Sequence, residues 1–237
     1  MERASEFRRL RAPQEDGQKL IEPPWPALPD VVADNRERLA QIDVDIQGRT
    51  VCDLAASARR ALIQRAVDYT GRYRDVTDRF RNSPASAPLI FSGHQPQLFH
   101  AGVWYKNFVL GGLARSLDGV GIHLLIDSDL CRSVSIRVPT GTRERPRVEA
   151  LPYDAPAAEV PYEERPVRDH AALASFERRV VALVEPLVRN TLLEALWPLV
   201  LERNPGQLNL GLRLAQARHA LEETWRNDTL ELPQSAV

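Results

Sequence analysis

His94 and His100 bracket the stretch GHQPQLFH, with five residues between them, and Lys106, one of only two lysines in the chain, lies six positions further on. Imidazoles donate a hydrogen bond, or a charge when protonated, and an ammonium adds a cation. The three could therefore stabilise negative charge on a phosphate or a carboxylate, and they are the candidate catalytic residues. Asp127 and Asp129 stand two apart in LLIDSDLC. Alternate residues of a strand share a face, so this pair could hold Mg²⁺, position a ribose or orient a histidine. Gly93, Gln95, Trp104 and Asn107 join the two aspartates as candidate substrate contacts.

Each of these residues also has an ordinary structural use. A loop histidine caps backbone groups, Trp104 and Phe99 can anchor a core, and an aspartate after a strand commonly caps the next helix. What points to a ligand is the cluster: polar side chains, a glycine turn at Gly93, a stiffening Pro96 and a helix start, all at one sheet edge. His123 lies inside an apolar run and is expected to be a satisfied core residue, whereas His170 and His219 stand in helical regions with no visible partner. Cys131 follows the acidic loop but carries no nucleophile signature.

The elements that must position this cluster are legible around it. LIF, near Leu89, is a buried-strand run, Gly102 to Leu117 has apolar residues at helical spacing, and GVGIHLLID is a second strand. Strand, loop, helix and strand within about forty residues make a βαβ crossover, in which the two strands are parallel. Ligands of such sheets bind beyond the carboxyl ends of the strands, and a helix N-terminus there favours an anion. Upstream, LIEPPWPALPD is too rich in proline for a helix and predicts an extended arm. A short helix follows it, and a long amphipathic helix is expected from Val51 to about Phe80. Downstream, RSVSIRVPTG and RVEALPYD predict strands joined by a polar turn. Helices are expected over roughly 169–202 and 210–227, with Pro186 and Pro198 dividing or kinking the first.

The expected fold class is therefore α/β: a Rossmann-like parallel-sheet core with an N-terminal helical arm and C-terminal helices. The expected division is 1–84, 85–160 and 161–237. The closing LELPQSAV reads as the start of a further strand or arm, so a fragment of a longer protein is expected.

Length and composition bound the rest. The chain's 237 residues suffice for a sizeable core without disulfides or metals. A net charge of −1 gives no single-signed field to draw nucleic acid or an anionic membrane. Two distant cysteines suggest neither a disulfide framework nor a zinc site. The charged N-terminus lacks the apolar core of a signal peptide and no run is long enough to span a bilayer, so a cytoplasmic protein is expected. Phosphate-loop, dinucleotide, zincin and nucleophile-elbow motifs are absent from the sequence.

SGHQPQLF resembles the TGQQ-x-x-LF turn of the bacillithiol biosynthesis cysteine-adding enzymes, matching at Gly93, Gln95, Leu98 and Phe99 after a short apolar strand. IDSD resembles that family's acidic element more loosely. The resemblance spans forty to fifty residues around the turn. It implies a Rossmann-like core related to nucleotidylyltransferases and class I aminoacyl-tRNA synthetases, in enzymes that join cysteine to glucosaminyl-malate. By the same resemblance Gly93, His94 and Gln95 lie against a nucleotide or substrate. His100 takes a place like that of the second histidine of an HxGH turn, although the spacing here is longer. His94 replaces the family's first glutamine and HAG replaces TGP, so the substrate side of the loop differs. The longer pattern GHQP-x-LFH-x-GVW-x-KN is similar to one that marks a group of bacterial proteins.

Three functions follow as expectations. The first is an enzyme of ligase or transferase type that binds a nucleotide or another anionic small molecule, with a nucleotide or Mg²⁺ as the cofactors in view. The second is a binding or assembly module with a degenerate site, and the third is a metal-dependent hydrolase. No nucleic-acid or membrane partner is indicated, and the oligomeric state is open.

Overall fold

Residues 10–84, 86–98, 100–202 and 209–237 are described by a computed structural model; Phe99 of the turn lies outside them. Contacts divide the chain into two compact units, Met1–Cys52 and Asp53–Val237. In the first, the proline-rich arm closes into a 3₁₀ turn at Trp25–Ala27 that leads into helix α1 (Leu28–Ala40). Two short strands, β1 (Asp45–Ile46) and β2 (Arg49–Thr50), pair antiparallel around Gln47 and Gly48. Both of those residues have positive φ, 55° and 82°, which is the backbone that a two-residue hairpin turn needs.

Helix α2 (Val51–Thr70) is shorter than the sequence predicts. It ends because Tyr73 and Arg74 turn inward to bond with a later helix, and a separate turn of helix, α3 (Asp78–Arg81), follows. The core of the second unit is a parallel three-stranded sheet. Strand β3 (Leu89–His94) pairs with β4 (Val120–Leu125) from Leu89↔Val120 to His94↔Leu125, and helix α4 (Ala101–Ser116) makes the crossover. Strands β5 (Ser135–Gly141) and β6 (Pro146–Pro152) form a separate antiparallel hairpin.

Helices α5 (His170–Val184) and α6 (Leu193–Glu202) come next, the first ending before Pro186 and the second running through Pro198. After α7 (Leu210–Glu223), strand β7 (Leu230–Pro233) returns to pair parallel with β4, from Ile122↔Leu230 to Leu125↔Pro233. The C-terminal segment thus supplies the third strand, and the sheet order is β3-β4-β7.

Helix α7 organises the interior. Twelve of its fourteen residues are buried. Leu214, Ala217 and Leu221 pack into a cluster with Phe176, Trp197 and Tyr153, while Ala215 belongs to the cluster formed by α2 and the sheet. A helix buried on every side is normally apolar throughout, yet α7 carries Arg213, Gln216, Arg218, His219 and Glu222 inward. Among the described residues no helix is long and apolar enough to cross a membrane.

Candidate functional site

All three strands of the sheet are parallel, so the loops that leave His94, Leu125 and Pro233 open on one edge. These loops are laced together. Gln95 Nε2 donates to Asp129 Oδ2 at 2.6 Å, Ile126 N to His94 O at 3.0 Å, and Ser128 Oγ to Gln234 Oε1 at 3.0 Å. Asp127 accepts from Ser235 N at 3.0 Å and from Ser235 Oγ at 2.5 Å. The turn Tyr162–Glu164 closes one side: Tyr162 N donates to Asp129 O, Glu163 N to Asp127 O, and the Tyr162 hydroxyl to Gln97 Oε1 at 2.8 Å.

Two glycines allow this closeness. A Cβ on Gly93 would stand 3.1 Å from Leu124 O, and one on Gly211 would stand 3.0 Å from Pro96 Cγ. Gly93 therefore lies within β3 and serves close strand approach, where the sequence suggested a sharp turn.

His94, Lys106, Gly93, Gln95 and Asp129 come together at this edge. Lys106 Nζ donates to Gly93 O at 3.3 Å, and His94 Nδ1 stands 3.3 Å from Gln95 O. Partial burial lowers the pKa of His94 below its ordinary value; the bond to Gln95 opposes this, and the positive charges of Lys106 and Arg218 add to it. The ring is thus held neutral near pH 7. The carboxyl of Asp129 is held below its usual range, first by Gln95 and then by the Leu130 amide.

The other candidates are committed elsewhere. His100 is the N-cap of α4, its Nδ1 accepting from Gly102 N at 3.0 Å. Trp104 Nε1 and Asn107 Nδ2 both donate to Glu222 Oε1, at 2.6 and 2.8 Å, which makes them braces between α4 and α7. Asp127 and Asp129 do not act as a pair, since one holds Ser235 and the other Gln95. Strand β4 ends at Leu125, so the alternation expected to align the two carboxylates does not reach them. Among the described residues no three His, Cys, Asp or Glu side chains converge as a metal site. The thiol of Cys131 is pushed up in pKa, chiefly by burial, and stays protonated.

Beneath this edge lies a buried polar centre that sequence reasoning missed. Arg218 is held between Glu222, at 2.5 Å, and Glu231 of β7. Two carboxylates share one guanidinium, and the pKa of Glu231 is pushed up to about 7; burial is the largest cause and Glu222 adds to it, against the pull of Arg218. The Tyr73 hydroxyl lies 2.6 Å from His219 Nδ1 and 3.1 Å from Glu231 Oε2, and His219 Nε2 lies 3.1 Å from Thr229 O. A neutral His219 with its proton on Nε2 donates to Thr229 O and leaves Nδ1 as an acceptor for the Tyr73 hydroxyl, whose single proton lies between His219 and Glu231. Its pKa is well below the ordinary value, first through burial and then through Arg74 and Arg218.

His123 is the exception in this interior. Its ring is 1% exposed and neither nitrogen has a hydrogen-bond partner among the described residues. Its pKa is pushed down to about 2, mainly by burial, with Arg218, Lys106 and His94 adding repulsion. The sequence did carry one signal for this centre: a histidine and a glutamate inside the apolar runs VGIHLLI and LELP, facing each other in register as His123↔Glu231.

No model of a known protein family matches the chain, and comparison with curated proteins likewise finds no match.

Proposed function

We propose that the second unit is a Rossmann-like domain that binds a nucleotide or another anionic small molecule at the edge formed by the loops after β3, β4 and β7, and that its chemistry is of ligase or transferase type. The observation that carries this reading is the meeting of Lys106 with His94 at the carboxyl ends of parallel strands, where open α/β sheets hold ligands. Lys106 supplies the fixed cation. His94, neutral when the site is free, has its one proton on Nδ1 toward Gln95 O; it takes up a second proton once an anion arrives, and the charged ring then donates to that anion. Gln95 and Asp129 hold the two loops in register, and Asp129 keeps a charged acceptor at the rim for a hydroxyl of the ligand.

A magnesium site shared by Asp127 and Asp129 does not fit, because both oxygens of Asp127 are occupied by Ser235.

A second reading, a non-catalytic binding or assembly module, is favoured by the lacing of the loops to one another and by the capping role of His100. A thermal-shift screen with ATP, pyrophosphate and adenosine separates the two. A ligand that binds only the native state stabilises it by about 2.7 kcal/mol at a hundred times its dissociation constant. ATP and pyrophosphate are expected to raise the midpoint and adenosine to leave it unchanged. Silence from all three favours the module.

A further inference from the structure

Beyond the acidic loop, the chain from Cys131 to Ser135 forms one wall of a cavity of about 390 Å³, within the size range of small-molecule sites. Its charge is one-sided. Arg165, on the wall and 2% exposed, gives Nη2 to Asp154 Oδ2 at 3.0 Å and to Ala155 O at 2.6 Å. Its Nε has no partner among the described residues. Asp154 also accepts the amides of Arg168 and Asp169, at 2.9 and 2.6 Å, so the two charges of the buried pair cancel and the carboxylate is engaged on both oxygens. Arg132 is the second cation on the wall. It is exposed and has no hydrogen-bonded carboxylate among the described residues, and its charge acts on the rim residue Asp129.

The remaining surface is mainly apolar: Val134, Pro152 and Pro156 line it together with Ser133 and Ser135. From this arrangement we infer that the cavity is a second binding site, distinct from the His94 edge, for a small monocarboxylate with an apolar body. Arg132 takes the carboxylate as a fork, and the prolines and Val134 cover the hydrocarbon. One guanidinium with no hydrogen-bonded carboxylate among the described residues matches one negative charge, and the nearby Asp129 carboxylate further disfavours a phosphate dianion. The cavity is also wired to the first site, because the Tyr162 hydroxyl meets both the Cys131 thiol and Gln97.

The test is an amide NMR titration of the full chain with benzoate, with benzamide as its uncharged counterpart and with inorganic phosphate. Benzoate is expected to give saturable shifts confined to residues 131–135 and their neighbours, while benzamide and phosphate give none. Arg132→Ala, at an exposed position, is expected to weaken benzoate by about tenfold or more, with Arg132→Lys intermediate. The His94→Ala/Lys106→Ala protein should bind benzoate as the wild type does, so failure of the first site leaves this one standing. The inference is overturned if benzoate gives no saturable shift, if benzamide or phosphate matches it, or if Arg132→Ala binds equally well.

Discussion

Gln95 Nε2 and Asp129 Oδ2 stand 2.6 Å apart, a side-chain bond that joins the loop after β3 to the loop after β4 beside the backbone bond from Ile126 to His94. Two segments 34 residues apart are thereby held as one rim, and the Asp129 carboxyl is held below its usual range by its neighbour. Replacing Gln95 by alanine is expected to raise the pKa of Asp129 toward its ordinary value, read by carbon-detected NMR titration of the side-chain carboxyl. An unchanged titration would mean that the Leu130 amide alone sets it.

His100 illustrates a histidine whose task is structural. As N-cap of α4 it satisfies one of the amides that a helix start leaves open. His100→Ala is expected to lose about 1 kcal/mol of stability in urea denaturation, and His100→Asn to recover most of it. Neither change should alter anion binding at the edge. Weaker binding by the well-folded His100→Asn protein would assign the ring to the ligand instead.

The clamp of Glu222 and Glu231 on Arg218 predicts a large and partly reversible effect. Arg218→Met leaves two buried carboxylates unpaired and is expected to cost about 3–5 kcal/mol. Adding Glu231→Gln to that variant removes one of the stranded charges and should restore part of the loss. A cost under about 1 kcal/mol would place the network in the class of weak surface pairs.

His123 and His219 make stability depend on pH with a defined sign. Both have folded-state pKa values below the ordinary 6.5, so below that pH the unfolded chain binds protons that the native one refuses. Their stability is complete above about pH 6.5 and falls on acidification, by up to about 1.4 kcal/mol per pH unit for each ring. Glu231, raised to about 7, acts in the opposite sense, its share being full below the ordinary carboxyl value and lost as pH rises through 7. Two rings against one carboxyl leave a net acid loss between pH 5 and 6.5. His123→Leu, which removes an unpartnered ring, should raise stability near pH 7.5 by about 1 kcal/mol and shallow the acid slope. Denaturation curves across that range decide it; a loss of several kcal/mol near neutrality would show that the ring has a partner.

The sequence disclosed the local structure and hid the long-range parts, for physical reasons. Strands β3 and β4 with α4 between them were readable because apolar runs and helical spacing are local signals. The pairing of β7 with β4 was not, since four residues, LELP, hold no information about their partner a hundred positions away. The partners of helix α7 were hidden for a related reason: nothing local shows that Tyr73, Thr229 and Glu231 are brought against Arg218 and His219. At the site, residue types pointed to the edge where Gln95 bonds Asp129 and Lys106 bonds the Gly93 carbonyl. They could not say which side chains were already in use, and Trp104 and Asn107 were engaged by Glu222.

The central claim is that His94 and Lys106 hold an anion at the carboxyl edge of the parallel sheet. Isothermal titration calorimetry of pyrophosphate tests it most directly, with the wild type beside the His94→Ala/Lys106→Ala protein. The wild type is expected to bind saturably and more tightly as pH falls toward 6, and the variant to bind at least about tenfold, or ~1.4 kcal/mol, more weakly. Equal affinity in the two proteins, or no binding by the wild type, would contradict it.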